Sequence, residues 1–255
     1  MKFNNMVTKL INIILSPLYK AILKQLNVDY ITNDLIRLGK SNDGGYVVLK
    51  STINQYKNLL SFGIAGDISF EKAFQDTNNC LVNCFDPSID KLPDLMENTY
   101  FLKLGIDSVT HDEYINLEKA IQLSNIEQNS KIFMKMDIEG FEWEVLGDSS
   151  SFEILKNFDQ IVMELHIKYM IGKSRFWLPI ELIKRYIILK KLRKYFYLYN
   201  LNANNVCGYT YFNSFIFPNV VEVSLINKRS HKDFVCNINQ PSDTNITDIQ
   251  EFYIK

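Results

Sequence analysis

The stretch Asn58-Leu59-Leu60-Ser61-Phe62-Gly63-Ile64-Ala65-Gly66-Asp67 decides the fold. Its first half is a short apolar run bounded by turn residues, the pattern of a buried strand. Gly63 and Gly66 then interrupt the run, and a helix follows over about 69–75. Strand, glycine turn and helix in that order open a β–α unit, and the turn lets a ligand approach bare backbone. The spacing is not G-x-G-x-x-G and no Lys-Ser/Thr follows, so a P-loop is excluded. A plain tight turn accounts for the same glycines.

Working outward, strand-like runs recur at 80–85, 100–104, 131–136, 160–165, 195–199 and 220–226, and helical stretches at 117–125, 152–156 and 178–193. Strands alternating with helices imply parallel pairing, so the fold class is α/β with a doubly wound, mostly parallel sheet. Ligands of such sheets sit at the carboxyl ends of the strands, near the switch in strand order. Ahead of this core, Leu10, Ile14, Leu18, Ile22 and Leu26 recur at helical spacing, broken by Lys9, Lys20 and Lys24. This amphipathic extension, over 1–35, packs on the domain, on a second subunit as in a homodimer, or on a membrane surface. The polar stretch 227–248 reads as a loop or tail, giving an organisation of 1–35, 36–228 and 229–255 without repeats.

Composition narrows the class. A chain of 255 residues that is 47% hydrophobic and 22% charged is globular and long enough for a sizeable core. A net charge of -1 argues against a general nucleic-acid binder. No run reaches the roughly 18 apolar residues of a membrane span, and no cleavage site follows the short apolar stretch 10–15. Cys80, Cys84, Cys207 and Cys236 have no CxxC spacing and read as reduced, buried thiols of a cytoplasmic protein.

Three strand ends carry chemistry. Cys84-Phe85-Asp86-Pro87-Ser88 places an acid about 20 residues beyond the glycine turn, where Rossmann-like folds hold a ribose. Asp-Pro after a strand is also a common turn. Lys135-Met136-Asp137-Ile138-Glu139-Gly140-Phe141-Glu142-Trp143-Glu144 crowds four carboxylates together. Glu142 and Glu144 suit the start of a helix, whereas Asp137 closes an apolar strand at the ligand edge. Met163-Glu164-Leu165-His166 ends the next strand, and alternation puts Glu164 and His166 on one face. Asp137, Glu164 and His166 together make an acid/base or metal site, or a structural hydrogen-bond cluster.

The sequence resembles the FkbM-type, class I S-adenosylmethionine-dependent methyltransferases. The matching segments are 37–47 (Arg-Leu-Gly-Lys-Ser-Asn-Asp-Gly-Gly-Tyr-Val), 61–67, Phe85–Ser88, 135–146, Glu164–His166 and 220–228. Ser61 stands where an acid is usual in the commoner Asp-x-Gly-Ala-Asn-x-Gly form. The resemblance implies a seven-stranded sheet whose last strand runs antiparallel. It implies S-adenosylmethionine as cofactor, with Gly63, Ala65 and Asp67 near its methionine part, Asp86 on the ribose, and Ser88 and Asp107 near the adenosine. The segment Asp43-Gly44-Gly45-Tyr46 would fold over the cofactor or acceptor, although Asp-Gly is a turn signal by itself.

Relatives of this type modify hydroxyls of sugars or natural products, so the expected reaction is O-methylation of a sugar hydroxyl. A basic cluster from Lys168 to Lys194, with Lys173 and Arg175 foremost, suits the diphosphate of a nucleotide sugar for surface polysaccharide; a solvated helix face explains most of its lysines better. Tyr46 and Glu139 complete the expected acceptor contacts. His166 would remove the hydroxyl proton, with a carboxylate orienting the ring. Alternatively Asp137, Glu164 and His166 would hold Mg or Mn. A catalytically silent methyltransferase-like subunit and another Rossmann-type nucleotide-sugar enzyme are the rival readings.

Overall fold

The structure is a computed structural model that describes residues 2–29, 33–41, 44–124, 126, 130–168, 177–204, 206–212 and 215–231, with side chains from residue 13 onward. The helices are α1 (Lys2–Gln25), α2 (Ser69–Asn78), α3 (Leu117–Leu123), α4 (Glu142–Gly147), α5 (Ser149–Leu155) and α6 (Leu178–Tyr195). The strands are β1 (Leu35–Leu38), β2 (Tyr46–Leu49), β3 (Asn58–Phe62), β4 (Leu81–Phe85), β5 (Thr99–Leu102), β6 (Gly105–Ile106) and β7 (Tyr114–Ile115), followed by β8 (Ile132–Met136), β9 (Gln160–His166), β10 (Phe196–Ala203), β11 (Tyr209–Phe212), β12 (Phe215–Pro218) and β13 (Val220–Asn227).

Seven strands form the central sheet in the order β10-β13-β9-β8-β3-β4-β5. Pairs β3–β4, β3–β8, β4–β5 and β8–β9 are parallel. β13 is antiparallel to both neighbours, β9 and β10, so it alone runs against the rest, as the resemblance implied. The order reverses between β3 and β8, which is the switch point where a cleft opens.

Alternation along the buried strands divides two cores. Leu60, Phe62, Met134, Met136, Met163 and Leu165 face the layer built by α1, α4, α5 and α6. Leu59, Phe133 and Val162 face α2 and the β1–β2 hairpin. Each such side chain contributes roughly 1.5–3 kcal/mol through burial. Both faces are covered, so these strands read as continuous apolar runs.

The inner face of α1 packs on this domain. Leu15, Tyr19, Ile22, Leu23 and Leu26 join the core, and Tyr19 packs on Phe212 (5.1 Å) and Phe217 (4.6 Å) of the β11–β12 hairpin. Just after it, Asp29 accepts from the Leu198 amide at 2.8 Å and pairs with Arg193. The β1–β2 hairpin is clamped to β13 by Ser224, whose hydroxyl donates to the Val47 carbonyl at 2.7 Å. Among the described cysteines one differs from expectation: Cys80 and Cys84 are buried, but Cys207 is exposed because it lies in the loop before β11; Cys236 lies outside the described residues. Burial pushes the Cys80 thiol up to about 12, so it stays protonated.

Candidate active site

The carboxyl ends of β3, β4, β8 and β9 open into a cleft of about 1930 Å³. That exceeds the 300–1,000 Å³ usual for one small ligand and leaves room for a cofactor and an acceptor together. Gly63, Ala65, Asp67, Asp86 and Ser88 line one half; Asp137, Glu139, Glu164 and His166 line the other. Tyr46 lies beneath the surface, where its hydroxyl donates to Asp137 Oδ2 at 3.1 Å. Asp107 is turned to Ser108 and His111 (2.6 and 3.0 Å) and is not among the cleft-lining residues. Asp43, Lys173 and Arg175 lie outside the described residues.

Backbone demands shape the first half. Gly63 has φ +79°, and a Cβ there would stand 1.6 Å from the Asp137 carbonyl oxygen, so the ends of β3 and β8 touch through bare backbone. A Cβ at Gly66 would meet nothing within 4 Å; the loop faces open cleft there. Asp86 organises this loop. Its Oδ2 accepts from the Ile64 and Ala65 amides (2.6 and 2.7 Å), and its Oδ1 from the Ser88 amide and hydroxyl (2.7 and 2.6 Å). Burial opposes its charge, but these four hydrogen bonds outweigh that and hold the carboxyl below its usual range. Below the loop, Ser61 donates to Glu71 Oε1 at 2.5 Å, and Lys135 Nζ lies 3.7 Å from the same oxygen while donating to the Gly63 carbonyl. The carboxylate that Ser61 lacks is thus delivered from α2. A bare loop braced by an acid, above a buried charge pair, fits the close approach of a zwitterionic nucleoside such as S-adenosylmethionine.

The second half is built on adjacent parallel strands. Asp137 follows β8 and Glu164 and His166 end β9, with Met136 in register with Met163. Glu164 is 5% exposed, and its Oε1 accepts from Asn204 Nδ2 at 2.9 Å. Burial and the nearby charge of Asp137 push its carboxyl up to about 8. Glu142, wholly buried in the first turn of α4, accepts from the His166 amide (2.6 Å) and the Gly140 amide (2.8 Å), and its Oε1 lies 3.2 Å from His166 Nδ1. Burial would lower the imidazole pKa, but Glu142, then Asp137 and Glu164, raise it to about 9. His166 Nε2 faces the cleft, 3.4 Å from Glu139 and 3.8 Å from Glu164. Asp137, Glu139 and His166 bring ligand-type atoms within 4.8 Å of one another, a trio in which Glu139 takes the place expected of Glu164.

Glu142 is the site residue that sequence reasoning missed. An acid in a first helical turn has an ordinary explanation, and only the fold turns it toward His166. Glu71, Lys135 and Asn204 gave no local signal either. The basic cluster expected beside the cleft reduces, among the described residues, to Lys168. Arg185 is buried and donates to the Ile167 carbonyl, Arg193 pairs with Asp29, and Lys184, Lys190 and Lys194 are exposed on α6.

Strand order, reversed final strand and a glycine-turn cleft at the switch point define a class I, Rossmann-like methyltransferase architecture. Residues 28–199 match the methyltransferase FkbM domain, and the chain belongs to that family. It is similar to the human "Probable methyltransferase-like protein 24", 26% identical over 125 residues that cover 46% of this chain. The chain spans about a third (34%) of that relative's length. Among solved structures, it is similar to the Methanococcus jannaschii fibrillarin pre-rRNA processing protein, with 15% identity, TM-score 0.42, and coverage of 69% of this chain and 68% of that one. A Streptococcus thermophilus rRNA methylase gives 12% identity, TM-score 0.38, and coverage of 69% and 91%. Family membership implies S-adenosylmethionine as cofactor. No helix among the described residues is long and apolar enough to cross a membrane.

Proposed function

We propose that the chain transfers a methyl group from S-adenosylmethionine to a sugar hydroxyl, with a nucleotide-activated sugar for bacterial surface polysaccharide as the acceptor class. The observation that carries the chemistry is His166, aimed into the cleft by buried Glu142 and flanked by Glu164 and Asp137. When bound, the cofactor supplies an electrophilic methyl on a sulfonium. The loop Gly63–Asp67, braced by Asp86, and the Glu71–Lys135 pair below it would hold its polar parts. Asp137, fixed by Tyr46, would accept a hydrogen bond from the acceptor hydroxyl and aim its oxygen, since orientation supplies much of the acceleration in a displacement.

The His166–Glu164 pair would take the acceptor hydroxyl's proton as its oxygen becomes the nucleophile. Both groups have raised proton affinity and titrate as a unit, so the fraction able to accept a proton grows with pH above neutrality. Lys168 in the cleft lining is the described cation best placed for an acceptor phosphate.

The Asp137–Glu139–His166 trio supports a second reading, in which a divalent cation such as Mg or Mn acidifies the hydroxyl. Methyl-labelled cofactor incubated with nucleotide sugars and the free sugars, with and without EDTA, tests both. Label on a sugar, retained in EDTA and lost in His166→Ala, is the expected result. Loss in EDTA restored by Mg or Mn would move the mechanism to the cation. Cofactor binding by calorimetry with no transfer to any acceptor would overturn the enzymatic reading in favour of a silent binding subunit.

A further inference from the structure

Helices α1 and α6 lie side by side over one face of the sheet. Leu15, Tyr19 and Ile22 of the first and Leu182, Leu189 and Leu192 of the second enter the same core. Helical geometry sends the residues opposite these to the outside. On α6 those are Ile180, Ile183 and Ile187, at 45%, 45% and 57% exposure, with Lys190 and Lys194 among them. On α1 they are Ile13, at 69% exposure, Lys20 and Lys24. A helix on a protein surface normally keeps its apolar residues to the inner side; α6 carries them on both.

The charge on this layer is as lopsided as its hydrophobicity. No acid occurs in α1, and the sole acid of α6, Glu181, is taken up by Lys184 at 3.1 Å, which leaves Lys190, Lys191 and Lys194 of α6 without an acid on their own helix. The whole chain nonetheless has a net charge of -1. Exposed isoleucine and unbalanced lysine therefore coincide on one outward face.

We propose that this face docks on an anionic lipid bilayer. The isoleucines would enter the boundary between headgroups and acyl chains, and the lysines would meet lipid phosphates. The lysines disfavour a second copy as occupant, because a two-fold interface would set the same charges against each other. The cleft reaches the border of this helical layer: Ile14, half exposed on α1, and Leu178 and Pro179 at the start of α6 line it. The acceptor end of the cleft then opens beside the membrane surface. This inference stands apart from the choice of acceptor.

Sedimentation of the full chain with vesicles tests it, using phosphatidylcholine alone or with an equal part of phosphatidylglycerol. Binding is expected to the mixed vesicles only, and to weaken as salt rises. Each lysine near an anionic surface contributes roughly fivefold to partitioning, so Lys190→Glu/Lys194→Glu should lower binding at least ~20-fold. Ile183→Ser/Ile187→Ser should abolish it, with thermal midpoints near wild type in both variants. No binding to the mixed vesicles, or equal binding by the wild type and the lysine variant, would overturn the proposal. So would a dimer in analytical ultracentrifugation that the isoleucine variant dissociates, which would assign the face to a second copy.

Discussion

At the amino edge of the sheet, just before β9, Asp159 accepts from Tyr56 at 2.7 Å and lies 3.2 Å from His231. At the carboxyl edge of the same strand, Glu164 lies 3.8 Å from His166. Each region therefore holds a buried acid and a histidine. Around Asp159 the neighbours close the network: Gln160 donates to Thr52 at 2.6 Å, and Tyr199 donates to Gln160 at 2.8 Å. Burial opposes the Asp159 charge, but the hydrogen bonds from His231 and Tyr56 prevail and hold its carboxyl down at about 2. Around Glu164, burial and the nearby charge of Asp137 outweigh the Asn204 hydrogen bond and His166, and the pKa moves the opposite way, to about 8. A satisfied network stabilises the fold; a frustrated one on a cleft wall is poised to exchange protons.

The contrast breaks most sharply at His166. His166→Ala should lower turnover by roughly 10²–10⁴ in a labelled methyl-transfer assay, with little change in the urea midpoint. If turnover survives intact both there and in Asp137→Asn, the carboxyl edge is as structural as the amino edge. Next in size is Asp86→Ala. Loss of its hydrogen bonds, worth about 1.5–3 kcal/mol for a charged acceptor, should weaken S-adenosylhomocysteine binding at least roughly tenfold by calorimetry. Unchanged affinity would remove Asp86 from the cofactor site.

Glu142→Gln sharpens the comparison by taking one negative charge from His166. The imidazole pKa then falls, so the alkaline rise of turnover should move down by about one pH unit, while the rate above that rise stays closer to wild type. A uniform loss at every pH would mean that Glu142 only shapes the backbone.

The smallest effect belongs to the amino edge. Asp159→Asn should cost about 1 kcal/mol of unfolding free energy at pH 7 and leave methyl transfer untouched. The folded carboxyl is depressed, so its contribution is present above the unfolded value and lost as pH falls from about 4 toward about 2. The difference between wild type and variant should therefore vanish in urea titrations at the acid end of that window. A difference that persists there would detach the network from Asp159's charge.

Much of the fold was legible because strands buried on both faces are short apolar runs punctuated by turns. The seven central strands begin within one residue of the runs starting at Asn58, Cys80, Tyr100, Lys131, Gln160, Tyr195 and Val220, although β10 continues to Ala203, four residues past the end of its run at Tyr199. The hairpins β1–β2 and β11–β12 were not, since four-residue strands such as Leu35–Leu38 and Tyr209–Phe212 take their pairing from the core beneath them. Within the site, strand-end residues such as Asp137 and His166 declared themselves by position. Glu71 and Asn204 reach the cleft from a helix and the end of a distant strand, and Glu142 backs His166 from a buried helix turn; no local pattern records such distances.

The insertion of β13 between β9 and β10 bears on how the chain is made and how it can be cut. β9 and β10 run the same way and do not pair with each other; each waits for residues 220–227. On a growing chain the strand carrying Glu164 and His166 therefore keeps an open edge until that late segment has left the ribosome, an exposure that favours aggregation. A fragment trimmed to the family-matching residues 28–199 would retain every acid of the cleft, yet leave that edge permanently unpaired.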